Sequence, residues 1–543
     1  FMDNIVFLFA KFYIFFVILF LLGRAFIIIN SKIFNLNFHE DSKLQGVDTQ
    51  IFYPVLGMFF LGNFLYIFNY FLPLKNKLSY SILLFIFINF KHPIYYEKLK
   101  GILKTLPIYT VLLATSYDIN FHYDAGLYHL NNQLWLNESN IVAGFSNIYG
   151  PYGVSSIYEY LSAFLWLDRS FMLVHFLSLI FIGFFYTFLL YNLIYNKNKH
   201  LFAGSFLLLI YSIFDNFGFS GGRNGFVNLQ SIGKQDLAIS VLFLVTSSLL
   251  TISILKKSFK IQELVIYSVL SLFIFQLKIS GFSIAFIYFV YIYFYAKDNE
   301  ISLLSLFNIL KIYVILFFTW LIKSLIHTGC LIFPYEPSCL SSLKWVNKEY
   351  ITNIENITVN FSNSYYFRDS LYTWGKEYIS IPINFTVFMN FFISVFALLI
   401  LSKILFFKSN ELNKNKIIIP IVSLSILFYL RFGPDVRYIS GLMMFLVFCV
   451  GIDRKIKIEI PKLILITVFI FSLLAFPKLQ SYKSIDVFRN PSVSVPEESM
   501  RQLFDRLAPA SGDQCWINID CSANLENFKI DTSGYFKVAT LNN

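Results

Sequence analysis

The sequence predicts an all-α polytopic membrane protein, and three observations support this fold class. First, 57% of the 543 residues are hydrophobic, with 66 Phe and 35 Tyr, and the mean hydropathy is +0.63. Soluble globular proteins usually contain about 45–50% apolar residues. Second, apolar stretches of roughly 17–25 residues, long enough to cross a bilayer, recur along the chain. Third, only 14% of residues are charged, and they collect between these stretches. The composition therefore excludes an ordinary soluble protein.

We expect a bundle of about 13–14 transmembrane helices, divided into three parts. Residues 1–100 form additional N-terminal membrane helices, and 101–477 form the core with outer loops 118–170 and 327–379. Residues 478–543 form a small lobe outside the membrane. The segment 79–90 is short for an upright crossing, so a re-entrant segment and an earlier start both stay open, as does the topology of residues 1–100. The helices are predicted near 5–29, 51–73, 79–90, 101–117, 171–195, 201–218, 237–255, 262–277, 281–296, 302–326, 380–407, 416–430, 438–451 and 462–477.

The basic residues predict the orientation of the chain. Lys and Arg exceed Asp and Glu by 43 to 32, for a net charge of +11, which we interpret as topology and not as nucleic-acid binding. The short basic loops should face the cytoplasm, and only the loop 297–300 departs from the trend. These loops are 91–104, 196–199, 256–260, 403–416 and 454–457. The alternate loops then face outward, namely 118–170, 219–236, 278–280, 327–379, 431–437 and the segment after about 478.

The cysteines agree with this orientation. Cys330 and Cys339 share one predicted outer loop, and Cys515 and Cys521 share the outer C-terminal segment. Two close pairs on an oxidising side indicate disulfides within each pair, although crossed pairing stays open. Cys449 is predicted to be a small apolar residue inside a helix.

The most polar outer segment is the acidic stretch Tyr117–Leu130, directly after an apolar helix. It carries Asp118, Asp124, His122 and His129 within a dozen residues. From Ala125 to Trp135 the leucines recur at helical spacing, which predicts an amphipathic helix on the membrane surface with its polar side facing water. A carboxylate or imidazole here can act as a base towards a hydroxyl group. A polar loop that only caps a helix is the alternative.

Further charged residues occur at the outer ends of helices, where charges are costly and therefore often functional. A phosphate group requires Lys or Arg partners, so these positions are candidate phosphate contacts. Each has a structural alternative: Lys278 can extend to the lipid headgroups, and Asp236 can cap a helix. Asp435 can pair with both neighbouring arginines as a local clasp, and the segment 147–153 can be a plain turn. The candidates are Lys234, Asp236, Lys278, Arg431, Arg437 and, in the turn 147–153, Tyr152.

Several short motifs resemble the GT-C class of integral-membrane glycosyltransferases, which includes protein O-mannosyltransferases and aminoarabinose transferases. In that class an apolar helix delivers an acidic motif into the first large outer loop, and a surface helix follows. Asp124-Ala-Gly-Leu-Tyr-His129 and the helix to Trp135 match this arrangement, with Ala125 where a second acid often stands. The resemblance is closer to a GT-C-like family of bacterial polysaccharide gene clusters. It spans 100–543 and includes the motifs Tyr123–Leu130, Gly329–Pro334, Pro434–Tyr438 and Gly512–Trp516.

The resemblance implies transfer of a sugar from a polyprenyl-phosphate or polyprenyl-diphosphate carrier to a hydroxyl group of a glycan, lipid or protein acceptor. Asp124 would be the general base, and Asp118 or His129 would orient it or the substrate. The remaining site residues would bind the substrate or its phosphate: Lys278, Arg437, Arg431, Lys234, Asp236, Tyr128 and Tyr152.

The same resemblance implies a multi-pass protein of the bacterial inner membrane, with its active site on the periplasmic or extracellular side. Two features depart from the class. Up to three apolar segments precede the acidic loop, and the missing second acid leaves a role for Mg²⁺ or Mn²⁺ open, so no metal ligand is assigned. A glycan polymerase or ligase, a flippase for a lipid-linked sugar and a non-catalytic scaffold are the alternative functions.

Overall fold

The computed structural model describes residues 5–33, 43–91, 101–154, 156–166, 171–195, 199–217, 231–233, 235–361, 364–365, 370–408, 415–452, 454–457, 460–489, 491–524 and 526–541. The structure is 71% helical. Within the described residues, seven helices are long and apolar enough to cross a membrane, or eight if the bent pair 462–475 and 478–484 is one span. Five shorter apolar helices accompany them. The protein is thus a mainly helical membrane protein.

The α-helices are Ile5–Ile33, Tyr53–Asn69, Leu106–Leu112, Leu130–Glu138, Phe145–Ile148, Ile157–Phe164, Met172–Leu190, Lys199–Phe217, Asp236–Lys256, Ile261–Leu277, Ile284–Asp298, Leu303–Thr328, Lys348–Phe361, Leu371–Ser380, Pro382–Leu405, Asn415–Phe432, Ser440–Gly451, Lys462–Ala475 and Lys478–Ser484. Turns of 3₁₀-helix occupy Thr49–Phe52, Lys77–Lys91, Leu113–Asp118, Gly150–Gly153, Ile279–Ser283 and Glu336–Ser338, and π-helical turns occupy Ala125–His129 and Tyr191–Tyr195.

The described strands form five two-stranded sheets. Four are antiparallel: Lys43–Leu44 with Val47–Asp48, Phe406–Lys408 with Arg454–Ile456, Met500–Leu503 with Arg506–Pro509, and Phe528–Asp531 with Val538–Leu541. The pair Asn120–Phe121 with Ser231–Ile232 is parallel.

The core of the bundle lies around two central helices. In helix Asp236–Lys256, every residue of the most apolar 18-residue stretch is buried. In the segment 172–195, 94% of the corresponding stretch is buried. The corresponding shares are only 28% for helix Leu303–Thr328 and 22% for Pro382–Leu405. A helix that is apolar on all sides must be covered by protein or by lipid, so these two helices present apolar side chains at the membrane-facing periphery.

The first two long helices approach each other closely at glycines. A Cβ atom on Gly23 would lie 1.9 Å from the carbonyl oxygen of Tyr53, and one on Gly57 would lie 2.0 Å from that of Leu19. Small residues at helix crossings let backbones pack closely where lipid provides no hydrophobic driving force. Helices 5–33 and 53–69 therefore form a packed part of the bundle through this crossing.

The structure separates the two sets of loops. The described parts of the basic segments gather at one end, where strand 406–408 pairs with 454–456 and the Lys104 ammonium lies 4.3 Å from the centre of the Tyr195 ring. The acidic stretch and the C-terminal segment gather at the other end, where Ala143 exchanges backbone hydrogen bonds with the 537–539 segment. Helices 382–405 and 440–451 run between these two ends. The grouping that the Lys and Arg positions predict is therefore present in the fold.

Three predicted elements differ from the structure. The segment 79–90 is part of a 15-residue 3₁₀-helix, 77–91, which at about 2.0 Å per residue reaches about 30 Å. The predicted span 101–117 is broken into helix 106–112 and the 3₁₀-turn 113–118. The predicted surface helix 125–135 is wrong in its environment, because its polar residues are buried in the protein, among them Asn131, Asn132 and Gln133.

Candidate functional site

The acidic turn is held in place by the parallel strand pair that precedes it. Strand 120–121 pairs with 231–232, and the backbone N–H of His122 donates to the carbonyl of Ile232 at 2.9 Å. The chain then enters a helical segment at Asp124 and winds as a π-turn over 125–129. Such turns are rare and often occur at functional sites. This arrangement fixes the Asp124 carboxylate at the polar end of the bundle.

Asp124 belongs to a chain of ion pairs with residues distant in sequence. Its Oδ2 lies 3.7 Å from a terminal nitrogen of Arg437 and 3.3 Å from Nδ1 of His122. The Arg437 guanidinium also donates to both carboxylate oxygens of Asp435, at 3.2–3.3 Å. Arg437 is therefore shared between two carboxylates, and its planar fork restricts its orientation.

Lys278 and Asp236 form a second ion pair beside the first. Asp236 lies in the first turn of helix 236–256, where the helix dipole favours a negative charge. The Lys278 ammonium donates to Asp236 Oδ1 at 3.3 Å and lies 3.7 Å from the centre of the Tyr438 ring. Tyr438 also lies 5.5 Å from the Arg437 guanidinium. Because Tyr438 contacts both cations, the two ion pairs form one cluster, which we call the charged cluster: Asp124, Asp236, Lys278, Asp435, Arg437 and Tyr438.

The surroundings keep both cations of the charged cluster protonated. Burial alone would lower the pKa of Lys278, but Asp236 raises it, and the net pKa lies above the ordinary 10.5. Burial also opposes the charge of Arg437, yet Tyr438, Asp435 and Asp236 raise its pKa. Tyr128 lies close by, and burial followed by the charge of Asp124 raises its pKa well above the ordinary value. The site therefore combines two permanent cations with an excess of carboxylates.

A buried polar network lies behind the acidic turn. The imidazole of His129 contacts the Glu159 carboxylate through Nδ1, and Gln133 donates to the same carboxylate at 2.7 Å. Gln235, the neighbour of Asp236, is a third donor to Glu159. A buried carboxylate is stable only when it is paired and hydrogen-bonded. Glu159 therefore fixes the orientation of His129 and leaves its Nε2 for a further contact.

A cavity of about 10 Å³ borders this network, with room for about one water molecule. Two polar residues of helix 303–328 line it. The ammonium of Lys323 lies 4.7 Å from the centre of the Trp320 ring. Both ring nitrogens of His327 lack a hydrogen-bond partner among the described residues. The other lining residues are Asn132, Leu136, Tyr152, Ser156, Glu159 and Tyr160.

Three predicted site residues make their observed contacts elsewhere. Asp118 accepts a hydrogen bond from Ser484 at 2.7 Å, so it fastens the chain to helix 478–484. Arg431 lies 3.9 Å from Glu355, and the predicted clasp with Asp435 is formed by Arg437 instead. Tyr152 is fully buried and donates to Asn131 at 2.6 Å, so its hydroxyl is used inside the fold. Lys234 falls outside the described residues.

The structure gives specific contacts to several other predicted residues. Lys278 pairs with Asp236, which also lies in the first turn of helix 236–256. Both predicted disulfides are present, Cys330–Cys339 and Cys515–Cys521, which excludes crossed pairing. Cys449 is buried in helix 440–451, as predicted.

Sequence reasoning missed Glu159, Lys323 and His327. A signal existed for all three, because each is a titratable residue inside an apolar helical segment, where such residues are rare and usually paired. Among the described residues, no group of three or more His, Cys, Asp or Glu is placed to hold a metal ion. The carboxylates of the charged cluster are instead engaged by Lys278 and Arg437.

The fold and the charged cluster define a mainly helical membrane protein with a polar site at one end of its bundle. The sequence model of a family described as "Domain of unknown function (DUF8201)" matches residues 5–444. The chain belongs to this family, since the match covers more than half of it. No curated protein and no solved structure matches the chain.

Proposed function

We propose that this protein is a GT-C-type membrane glycosyltransferase. It transfers a sugar from a polyprenyl-phosphate or polyprenyl-diphosphate carrier to an acceptor hydroxyl group, in the synthesis of a cell-surface polysaccharide or glycoconjugate. One observation carries the proposal: Asp124, which follows an apolar helix, shares one ion-paired cluster with Arg437, next to the Lys278–Asp236 pair. A base and phosphate-binding cations are the two components that this reaction requires.

The site is proposed to face the outer side of a bacterial inner membrane, within a GT-C-like bundle of about 13–14 helices. The basic loops support this orientation, because they gather at the end opposite the charged cluster. Basic residues concentrate in cytoplasmic loops. The two disulfides at the cluster's end support the same side, since disulfides persist in oxidising compartments.

In the proposed reaction, the acceptor oxygen attacks the anomeric carbon as the bond from that carbon to the phosphate oxygen breaks. Asp124 takes the hydroxyl proton, and the polyprenyl phosphate leaves with the electron pair of the broken bond. The displacement inverts the configuration of the anomeric carbon. Lys278 and Arg437 stabilise the negative charge that develops on the leaving phosphate. His129, oriented by Glu159, supports the acidic turn from its buried side.

Arg437 connects the two halves of this mechanism. Its guanidinium is divided between Asp124 and Asp435, and a nearby cation makes a carboxylate a weaker base. A donor phosphate competes with Asp124 for the same guanidinium. Donor binding therefore releases Asp124 and strengthens it as a base at the stage when the acceptor proton has to be removed.

The geometry favours a transferase over the alternative functions. A flippase requires charges near the middle of the membrane. Helix 303–328 contributes two titratable residues to the cavity, Lys323 and His327. At 1.5 Å per residue, both lie within about 7.5 Å of the polar end of this helix. A polymerase or ligase that uses a lipid diphosphate should present more than two cations, whereas the described charged cluster contains Lys278 and Arg437.

The test uses the full-length protein in lipid nanodiscs. Polyprenyl phosphate is expected to bind more tightly than the polyprenol that lacks phosphate, and Arg437→Met should reduce this preference. Polyprenyl-phosphate mannose, glucose and aminoarabinose are then supplied with a lipid-linked oligosaccharide, and release of free polyprenyl phosphate is measured. Sugar-dependent release supports the proposal. Movement of intact donor across vesicle membranes without loss of the sugar would instead identify a flippase and refute it.

A further inference from the structure

The C-terminal segment after residue 490 packs directly on the acidic turn, although it lies outside the family match, which ends at residue 444. It folds as two hairpins, 500–509 and 528–541, with a disulfide-closed loop between them. We call residues 512–521 the clamp loop. Its contacts fall on Tyr123 and Gly126, on either side of Asp124.

The clamp loop supplies hydrogen-bond donors to the π-turn. In the turn the N–H of Leu130 donates to Ala125. The carbonyl of Gly126 accepts the N–H groups of both Cys515 and Trp516, each at 3.0 Å. A buried carbonyl needs such partners to be stable. The backbone of the clamp loop thus stabilises a π-turn that begins one residue after Asp124.

The indole ring of Trp516 covers Gly126. A Cβ atom at position 126 would lie 2.6 Å from the indole, so only glycine allows this contact. Trp516 adopts a positive φ of 49°, which is uncommon for a residue with a side chain. Its indole N–H donates to Glu498 at 3.2 Å, and its ring meets that of Phe121 edge to face at 5.3 Å. These contacts hold the tryptophan over the turn.

The clamp loop also holds the residue before Asp124. The hydroxyl of Tyr123 donates to Asp513, and the side chain of Gln514 donates to the carbonyl of Tyr123 at 3.1 Å. The disulfide that closes the loop is buried at both cysteines. Positions 123 and 126 are therefore both held by the clamp loop, in which residues 515–521 are closed by the disulfide.

We propose that the clamp loop is a positioning element of the active site, which holds the Asp124 carboxylate in its reactive place through Gly126 and Tyr123. Trp516 is its central positioning residue, because it acts through Gly126. The activity measurement rests on the proposed glycosyl transfer, whereas the structural measurement below does not. A misplacement of about 1 Å at a reacting group can lower a rate about 10²-fold, so loss of the clamp should affect catalysis strongly.

The activity test compares Trp516→Ala and the pair Cys515→Ser/Cys521→Ser with wild type, using polyprenyl-phosphate sugar as donor. We expect kcat to fall about 10²-fold without a rise in donor KM, because Lys278 stays paired with Asp236 and Arg437 stays paired with Asp435. Trp516→Phe should recover most of kcat by refilling the space over Gly126. The matched control is Cys330→Ser/Cys339→Ser, which removes the other disulfide and should leave kcat unchanged. A rise in donor KM together with the fall in kcat, or equal losses in the control, would overturn the proposal.

Hydrogen–deuterium exchange tests the clamp without any substrate. Backbone amides of residues 121–131 should exchange faster in Trp516→Ala than in wild type, and at the wild-type rate in the control pair. If Trp516→Ala does not fold, Gly126→Ala replaces it, since one added methyl group should displace the indole. Unchanged exchange in the folded variant overturns the clamp. Faster exchange in a protein without transferase activity supports the clamp and refutes the proposed function, so the two failures are distinguishable.

Discussion

Replacing Lys278 with Met should separate its role in folding from its role in phosphate binding. In the wild-type protein the Lys278 ammonium lies 3.3 Å from the Asp236 carboxylate, and the two side chains are 20% and 12% exposed. The substitution removes this partner from Asp236. Breaking a fully buried pair costs about 3–5 kcal/mol, and exposed pairs contribute about 1 kcal/mol or less. For this partly covered pair we expect a loss of about 2–3 kcal/mol in the free energy of unfolding.

The double variant Lys278→Met/Asp236→Asn distinguishes the two roles. Uncharged side chains of similar size in place of a buried ion pair often leave the stability almost unchanged. The double variant should therefore regain most of the lost free energy of unfolding. It should not regain phosphate binding. A hydrogen bond to a charged group contributes about 1.5–3 kcal/mol, so both variants should bind polyprenyl phosphate about 10- to 160-fold more weakly.

The assay combines two measurements on protein in lipid nanodiscs. Thermal unfolding should show a lower midpoint for Lys278→Met and a nearly restored midpoint for the double variant. Titration with polyprenyl phosphate should show weakened affinity in both, less so in the double variant because it lacks the Asp236 anion. If the double variant regained wild-type affinity, the Lys278–Asp236 pair would be purely structural, and the assignment of Lys278 to phosphate binding would be wrong.

Three further predictions follow from the charged cluster and the buried network. Asp124→Asn should lower kcat by about 10²–10⁴-fold, and an unchanged kcat would exclude Asp124 as the base. The affinity for polyprenyl phosphate, measured by titration, should stay the same or rise, because Arg437 loses a competing anion. Glu159→Gln should destabilise the protein by about 1–3 kcal/mol in thermal unfolding, because the mutation weakens a buried acceptor that has three donors. The exposed control Glu138→Gln should cost about 1 kcal/mol or less, and equal effects of the two mutations would contradict the network. Affinity for a polyprenyl-phosphate sugar should stay constant from neutral pH to about pH 9 and fall as pH rises through the pKa of Lys278, which burial lowers but the charge of Asp236 raises to a net position above the ordinary 10.5; a decline at lower pH in titrations would contradict this charge state.

The membrane fold could be predicted because hydrophobicity and loop charge act locally along the chain. Apolar length fixes which segments enter a bilayer, and the positions of Lys and Arg sort the loops between its two ends. Both disulfides followed from proximity in sequence. The environment of helix 130–138 could not be predicted in this way, because its Asn and Gln residues look like a water-facing surface until their buried partners are known. Asn131 meets Tyr152, and Gln133 meets Glu159.

The site was only partly predictable because its contacts join distant parts of the chain. Asp124, Lys278 and Arg437 stand out as charges at helix ends, but Asp124 pairs with Arg437 across more than three hundred residues, and Lys278 pairs with Asp236 on a different helix. The contact between Trp516 and Gly126 joins residues 390 positions apart, and nothing local to the C-terminal segment indicates it. Glu159 carried a readable signal, a lone acid in an apolar helix, which requires partners wherever it is buried.

The location of a bound donor phosphate tests the central claim most directly. A structure of the protein in a lipid nanodisc with a polyprenyl-phosphate sugar should place phosphate oxygens within about 4 Å of Lys278 Nζ and the Arg437 guanidinium, with the sugar beside Asp124. Arg437 should then have moved from Asp124 to the phosphate. A phosphate bound at the basic end of the bundle, or at the polar end but away from both cations, would contradict the account.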